Sequence, residues 1–187
     1  VATAVGNYDG RGNVATTTYA FREGKQYTSL GVRDRTFAGF GISTTTAPES
    51  VTVTYYNQGD GTNVPRGEQS DGYAQINHPY RTDLFDKLNV LIQRTFNRFD
   101  TSTHASSTFV VLGRQLTQDY ANNGTHRDKA VAYSYSESAD PIQVIEYGEV
   151  TGNSDGTFTD TGSDKRTSTI SYVASSSVNM LLPKQKY

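Results

Sequence analysis

The sequence predicts a mainly β, α+β fold: an antiparallel sheet with one long amphipathic helix, followed by additional C-terminal strands. Three observations predict it. The chain of 187 residues carries 13 Tyr, 8 Phe and no Trp beside many Thr, Ser and Gly, the usage of sheets with wet faces. Several segments alternate with period two, and Gly, Asp and Asn turn signals separate them. One stretch, by contrast, places large apolar residues at three- and four-residue steps.

Taken in order, the alternating segments are Val14 to Phe21, Gln26 to Val32, Ser50 to Asn57, Gly72 to His78, Lys129 to Tyr135, Ile142 to Val150 and Arg166 to Ala174. Asp9-Gly10, Gly59-Asp60-Gly61, Asn122-Asn123-Gly124 and Asp155-Gly156 punctuate them as turns. The clearest hairpin runs up through Ile145 to Val150, turns at Asn153 to Gly156 and returns through Thr157 to Thr159. The stretch from Thr151 to Lys165 is polar enough to read as a mobile loop. The helix is expected from Thr82 to Arg98, with Leu84, Leu88, Leu91, Ile92, Phe96 and Phe99 as its apolar stripe. Thr82 suits the N-cap, Asp83 and Asp86 the positive end of the dipole, and Arg94 and Arg98 the negative end. Such a stripe needs a broad apolar surface to cover it, either the chain's own sheet or a second subunit's. The domain reading is 1–100 as sheet plus covering helix, the assembly core, and 101–187 as a β-rich extension or part of the same domain.

Charge and cysteine content narrow the function classes. With 17 basic and 19 acidic residues the net charge is −2, too small for electrostatics alone to hold nucleic acid or an anionic membrane. No apolar run reaches the roughly 20 residues of a membrane-spanning helix, so no membrane partner is expected. A first residue at Val1 suits removal of an initiator Met. Without cysteine there is no disulfide, thiolate nucleophile or thiolate metal site.

Catalytic signatures are sparse. His78, His104 and His126 lack the spacing that puts two imidazoles on one metal, and no nucleophile-elbow or phosphate-loop pattern occurs. A Ser/His/Asp site assembled from distant residues stays open on sequence alone. Asp155, Asp160 and Asp164 do not follow the EF-hand ladder. The expectation is a non-enzyme with no catalytic residue, no metal and no cofactor. In strand Ser50 to Asn57, Val51, Val53 and Tyr55 share one face, and Thr52, Thr54 and Tyr56 the other.

The order of strand (Ser50 to Asn57), polar loop (Gln58 to Asp71), strand beginning Gly72-Tyr73-Ala74-Gln75, and helix resembles the second half of coat proteins of single-stranded RNA bacteriophages. The resemblance implies a loop at capsid symmetry axes and a helix lying across the partner's sheet. It also implies an RNA-facing Tyr-x-Asn/Asp pair, whose places Tyr73 and Gln75 take, with Thr52 and Thr54 sharing that face. It covers about the first hundred residues. The chain then continues for 87 more, where such coats end soon after their helices.

The functional expectation is a virion structural subunit that self-assembles into a homodimer and a higher symmetric shell, with RNA as a further partner on its sheet. The alternative is an extracellular adhesin or cell-surface β-domain that binds carbohydrate or protein, to which the acceptor triplet Asn123-Gly124-Thr125 adds a glycosylation pattern.

Overall fold

A computed structural model describes residues 3–27, 36–61, 63–104, 107–174 and 181–186. Among them lie twelve strands: β1 (Ala4–Tyr8), β2 (Val14–Tyr27), β3 (Thr36–Ala47), β4 (Ser50–Tyr56), β5 (Pro79–Asp86), β6 (Leu91–His104), β7 (Ser107–Tyr120), β8 (His126–Tyr135), β9 (Pro141–Gly152), β10 (Phe158–Asp160), β11 (Arg166–Ala174) and β12 (Leu181–Lys186). Every pairing is antiparallel, and each strand lies beside its neighbour in sequence, except that β10 and β11 both pair with β9, at successive stretches of the edge opposite β8. The result is a single meander, a topology that needs only short connections.

The long helix is absent. Residues 82–98 form a hairpin instead, β5 and β6 joined at Lys87 to Val90, and no helix of seven or more residues occurs among the described residues. The reason is visible in the turn. Asp86 accepts hydrogen bonds on Oδ1 from the backbone N–H of Leu88 and Val90, each at 2.8 Å, and Asn89 adopts a positive φ of 63°. Asp and Asn make such turns more readily than they continue a helix. The expected stripe is thereby scattered: Leu88 lies exposed at the turn, Ile92 is exposed on β6, and Leu91 pairs with Phe85. Leu84 and Phe99 are half-buried, and only Phe96 is core.

Gly72 to His78 is not a strand either. It holds a short 3-10 turn, Tyr73–Gln75, and a second such turn, Val64–Arg66, lies upstream in the same long connection between β4 and β5. The polar tract from Thr151 to Lys165 contains the end of β9, a tight turn and β10, so much of it is ordered as a hairpin. The expected strand from Gln26 to Val32 extends beyond the described residues.

The register defines two faces. Ile42, Tyr55, Arg81, Phe96, Leu116 and Ala130 are directly paired across β3 to β8 and share one face. The next row on that face is Thr44, Val53, Asp83, Arg94, Gln118, Asp128 and Val150. Phe96, Leu116, Ala130 and Val150 form the apolar core cluster, with Tyr147 and Phe158 packed against it. The connection 57–78 and the β9–β10 turn cover this face. Gly156 packs so closely on Phe96 that a Cβ there would stand 3.0 Å from the Phe96 ring, and its φ of 78° also favours glycine. The opposite face carries a row of Ser43, Thr54, Thr82, Thr95 and Thr117, a ladder of hydroxyl side chains over five strands.

Candidate functional site

Two polar constructions stand out under the covering loop. The first is a charged belt within the covered face. Asp83 is almost fully buried, and two arginines close on it from adjacent positions. Arg81 Nε donates to Asp83 Oδ1 at 2.9 Å, and Arg94 donates through Nε at 2.8 Å and Nη2 at 3.1 Å. Burial by itself would raise the Asp83 pKa, but the hydrogen bonds and charges of the two guanidiniums outweigh it and hold the carboxyl below its usual range. The guanidiniums are in turn stacked on rings. Arg81 lies 4.8 Å from the centre of Tyr55, and Arg94 lies 6.0 Å from both Phe96 and Tyr120. With both lobes of the carboxylate occupied, the belt is a closed structural clamp rather than a reaction centre.

The second construction lies where the connection 57–78 meets β2 and β3. Glu23, Lys25, Asp60, Arg66, Glu68 and Tyr80 line a polar cavity of about 180 Å³ there. Arg66 Nη1 donates to both carboxylate oxygens of Glu23, at 3.2 and 3.0 Å, and Lys25 is ion-paired with Asp60. Glu68 is buried and accepts the Asn63 backbone N–H at 2.9 Å. Its pKa is raised, first by burial and further by the nearby negative charge of Asp71. The Tyr80 hydroxyl is pushed well above the ordinary tyrosine range, again chiefly by burial.

The residues expected to contact RNA fall into two groups. Thr52 and Thr54 do lie on one face, opposite Val53, where they pair with Leu84 and Thr82 of β5. Tyr73 and Gln75 lie instead on the 3-10 turn. Tyr73 is half exposed and its ring meets Tyr27 at 5.3 Å. Gln75 is buried and spans the turn: its Oε1 accepts Gly72 N–H at 2.8 Å, and its Nε2 donates to Phe99 O at 2.6 Å. No surface of the described sheet brings these four side chains together. The turn, with the helix absent, also removes two of the four elements on which the likeness to phage coats rested.

The histidines are dispersed. His78 Nδ1 lies 3.1 Å from Gln75 O in the loop, while His126 Nδ1 lies 2.5 Å from Asp128 Oδ1 at the start of β8. The His104 side chain falls outside the described residues. Asp155 caps its own turn by accepting from Thr157, and Asp164 accepts Glu149 N–H at 3.1 Å. The loop junction joins residues from 23 to 80 that no local pattern connects, and helical periodicity hides the belt by setting Asp83 and Arg94 at opposite ends of a helix. Their i and i+11 separation has meaning only once the hairpin is known.

The class of protein defined by these observations is a β-domain: a wide antiparallel meander with a hydrogen-bonded polar interior. Among known proteins, no family model and no curated sequence matches the chain. Solved structures that share the fold include the following two. One, of TcdB2-TccC3, aligns with a TM-score of 0.61 at 13% identity over 92% of this chain. The other, of TcdB2-TccC3 without its hypervariable C-terminal region, gives 0.62 at 15% identity over the same share. In both, the match spans only 12% of the other chain. No helix among the described residues is long and apolar enough to cross a membrane.

Proposed function

We propose that this chain is a non-catalytic building segment, a stretch of sheet that completes its folded surface by burying it in a larger assembly. Accessible area carries the reading. A compact monomer of 20.5 kDa exposes about 8,900 Å², whereas this chain exposes 11673 Å². The excess, on the order of 2,800 Å², is of the size that obligate interfaces bury. It is not spread evenly: all of β1 and nearly all of β2 are exposed, although Val5, Tyr8, Val14 and Phe21 are large and apolar. β3 pairs with β2 only from Thr18 onward, so β1 and residues 14–17 of β2 project as a two-stranded arm, which has little stability by itself and gains most from a second surface. The outer edge of β1 also leaves backbone groups open to strand addition. Further support comes from the structural neighbours, where a sheet of this fold is a small part of a much longer chain.

A virion coat is one assembly of this kind, and it makes the stricter demand of closed particles. Light scattering on the purified chain from about 1 to 100 µM, with electron microscopy and hydrogen exchange on the same samples, tests both. Association, with β1–β2 amides becoming protected as mass rises, is the expected result. Closed particles with a nucleic-acid absorbance would specify the coat form. A monomer at every concentration whose β1–β2 amides are already protected would overturn the proposal, because the arm would then need no partner.

A further inference from the structure

We propose that the tip of the β1–β2 arm, at Tyr8 and Val14, docks into an aromatic cleft on a second copy of this chain, a contact that rests on the assembly reading above and gives it a direction. The cleft holds about 200 Å³ and is lined by Phe21, Gly39, Phe40, Ser43, Tyr56 and Asn77. It opens on the hydroxyl-ladder face, where Phe21 pairs with Ser43. Phe21 and Phe40 meet at 5.2 Å, and Phe37 stands edge-on to Phe40 at 5.5 Å. Phe21 and Phe37 are nonetheless 37% and 56% exposed. The Ser43 and Tyr56 hydroxyls satisfy each other at 3.2 Å, so the space between the rings is mainly apolar. It is smaller than the roughly 300 Å³ at which small-molecule pockets begin, and therefore suits an inserted side chain better than a free ligand.

The arm tip supplies the matching half. Tyr8 and Val14 pair directly across the ribbon and are 78% and 52% exposed. Val14 and Phe21 lie on the same strand, and their odd separation in sequence puts them on opposite faces, while a rise of about 3.3 Å per residue sets them roughly 23 Å apart. The tip therefore cannot fill its own cleft, but it can fill that of another copy. Charge permits the contact: residues 4–8 and 12–21 contain no ionisable group that is charged at neutral pH, and none lines the cleft, so closure desolvates no ion. Area permits it as well. Each copy gives one arm and receives another, and at about 800 Å² a side the two contacts use on the order of 1,600 Å² per chain, within the excess exposed by the monomer. Because unlike surfaces meet, the contact is heterologous and repeats head to tail, as a ring or a filament.

Light scattering on Tyr8→Asp and Phe21→Asp chains, alone and mixed one to one, tests this over the same concentration range as the wild type. Each variant alone should need at least about tenfold more protein to double its mass, because a carboxylate would be buried against rings. The mixture should form pairs that grow no further, since one sound arm and one sound cleft remain in it. Phe37→Asp, at a more exposed position, supplies the cleft reading if Phe21→Asp does not fold by circular dichroism. Wild-type association by a folded cleft variant, or a mixture that forms no pairs, would overturn the docking and leave the assembly reading standing. If the cleft variants fail to associate while Tyr8→Asp associates as the wild type does, cleft meets cleft and the arm is excluded. A wild-type chain that stays monomeric throughout would remove the assembly reading and this contact together.

Discussion

The β5–β7 region and the β1–β2 arm are built from similar sequence and end in opposite environments. Both alternate, both are rich in Thr and aromatic residues, and both are antiparallel hairpins. Yet Phe96, Leu116 and Asp83 are sealed, while the arm is open on both faces. Alternation selects two faces, but it does not supply a cover for either. Cover in the centre comes from the connection 57–78 and the β9–β10 turn, segments whose own sequence is polar and rich in glycine. The far end of β2 meets that connection through Glu23, Lys25 and Tyr27, but β1 and the first residues of β2 have no such lid within the described residues, which is why assembly is the reading the arm supports.

The sharpest way to break the contrast is to open the belt. Asp83→Ala leaves two arginines facing each other across a covered surface, and should cost about 3–5 kcal/mol. The expected outcome in urea unfolding is a lower midpoint with unchanged slope. A loss below about 1 kcal/mol would mean that the guanidiniums reach solvent easily and that the belt is not a clamp. Next in size is the apolar core. Leu116→Ala should cost about 2–4 kcal/mol because the cavity it leaves is hemmed in by paired strands. The cover itself is tested by Gly156→Ala, which sets a Cβ against the Phe96 ring at a positive φ. It should cost about 1–3 kcal/mol. Hydrogen exchange should then rise in β6 and β7 but not in β1 and β2.

How much of this was legible in the sequence follows the same physical divide. Strand Ser50 to Asn57, its two faces, and the hairpin closed by Asn153 to Gly156 were readable because local alternation and turn chemistry agree there. The β5–β6 hairpin was not, because Leu84, Leu91, Ile92 and Phe96 fall at helical spacings by coincidence. Asp86 and Asn89, in the middle of that run, were the signal that could have corrected it: each prefers a turn, and together they bracket one. Tyr73 and Gln75 looked like strand residues because two positions apart share a face. The turn that holds them is fixed by the Gln75 amide reaching Phe99, a contact over 24 residues that no local pattern announces. The nearness of the Asp60, Glu68 and Asp71 carboxylates is likewise a product of loop closure, since these residues have no fixed spacing motif.

Acid should act on the centre in a predictable direction. Asp83 has a folded pKa below its ordinary value of 3.8, so its stabilisation is present above that value and is lost as pH falls through the lowered one. Glu68 has the opposite sign. Its raised folded pKa favours the fold below its ordinary 4.5, and that contribution is lost as pH rises through the raised value. Unfolding midpoints from about pH 3 to 7 should therefore show a rise for Glu68→Gln relative to wild type at the upper end. Asp83→Asn should flatten the acid limb. Identical profiles for all three proteins would remove both groups from the account.

The smallest expected effect lies in the arm. Tyr8 and Val14 pair at the end of the β1–β2 ribbon, and both are exposed. Replacing Val14 with Ser removes an apolar group that touches little, so the isolated chain should change by no more than about 0.5 kcal/mol in unfolding. In the assembled state the same substitution should matter more, because the lost burial of one aliphatic side chain is worth about 1.5 kcal/mol or more once a partner surface covers it. The measurement is the concentration at which mass doubles by light scattering, wild type against Val14→Ser, with equal denaturant midpoints as the check that the fold is intact. A shift of about tenfold in that concentration would place the arm in the buried contact. Equal association would put the contact elsewhere and leave the apolar arm without a role in assembly.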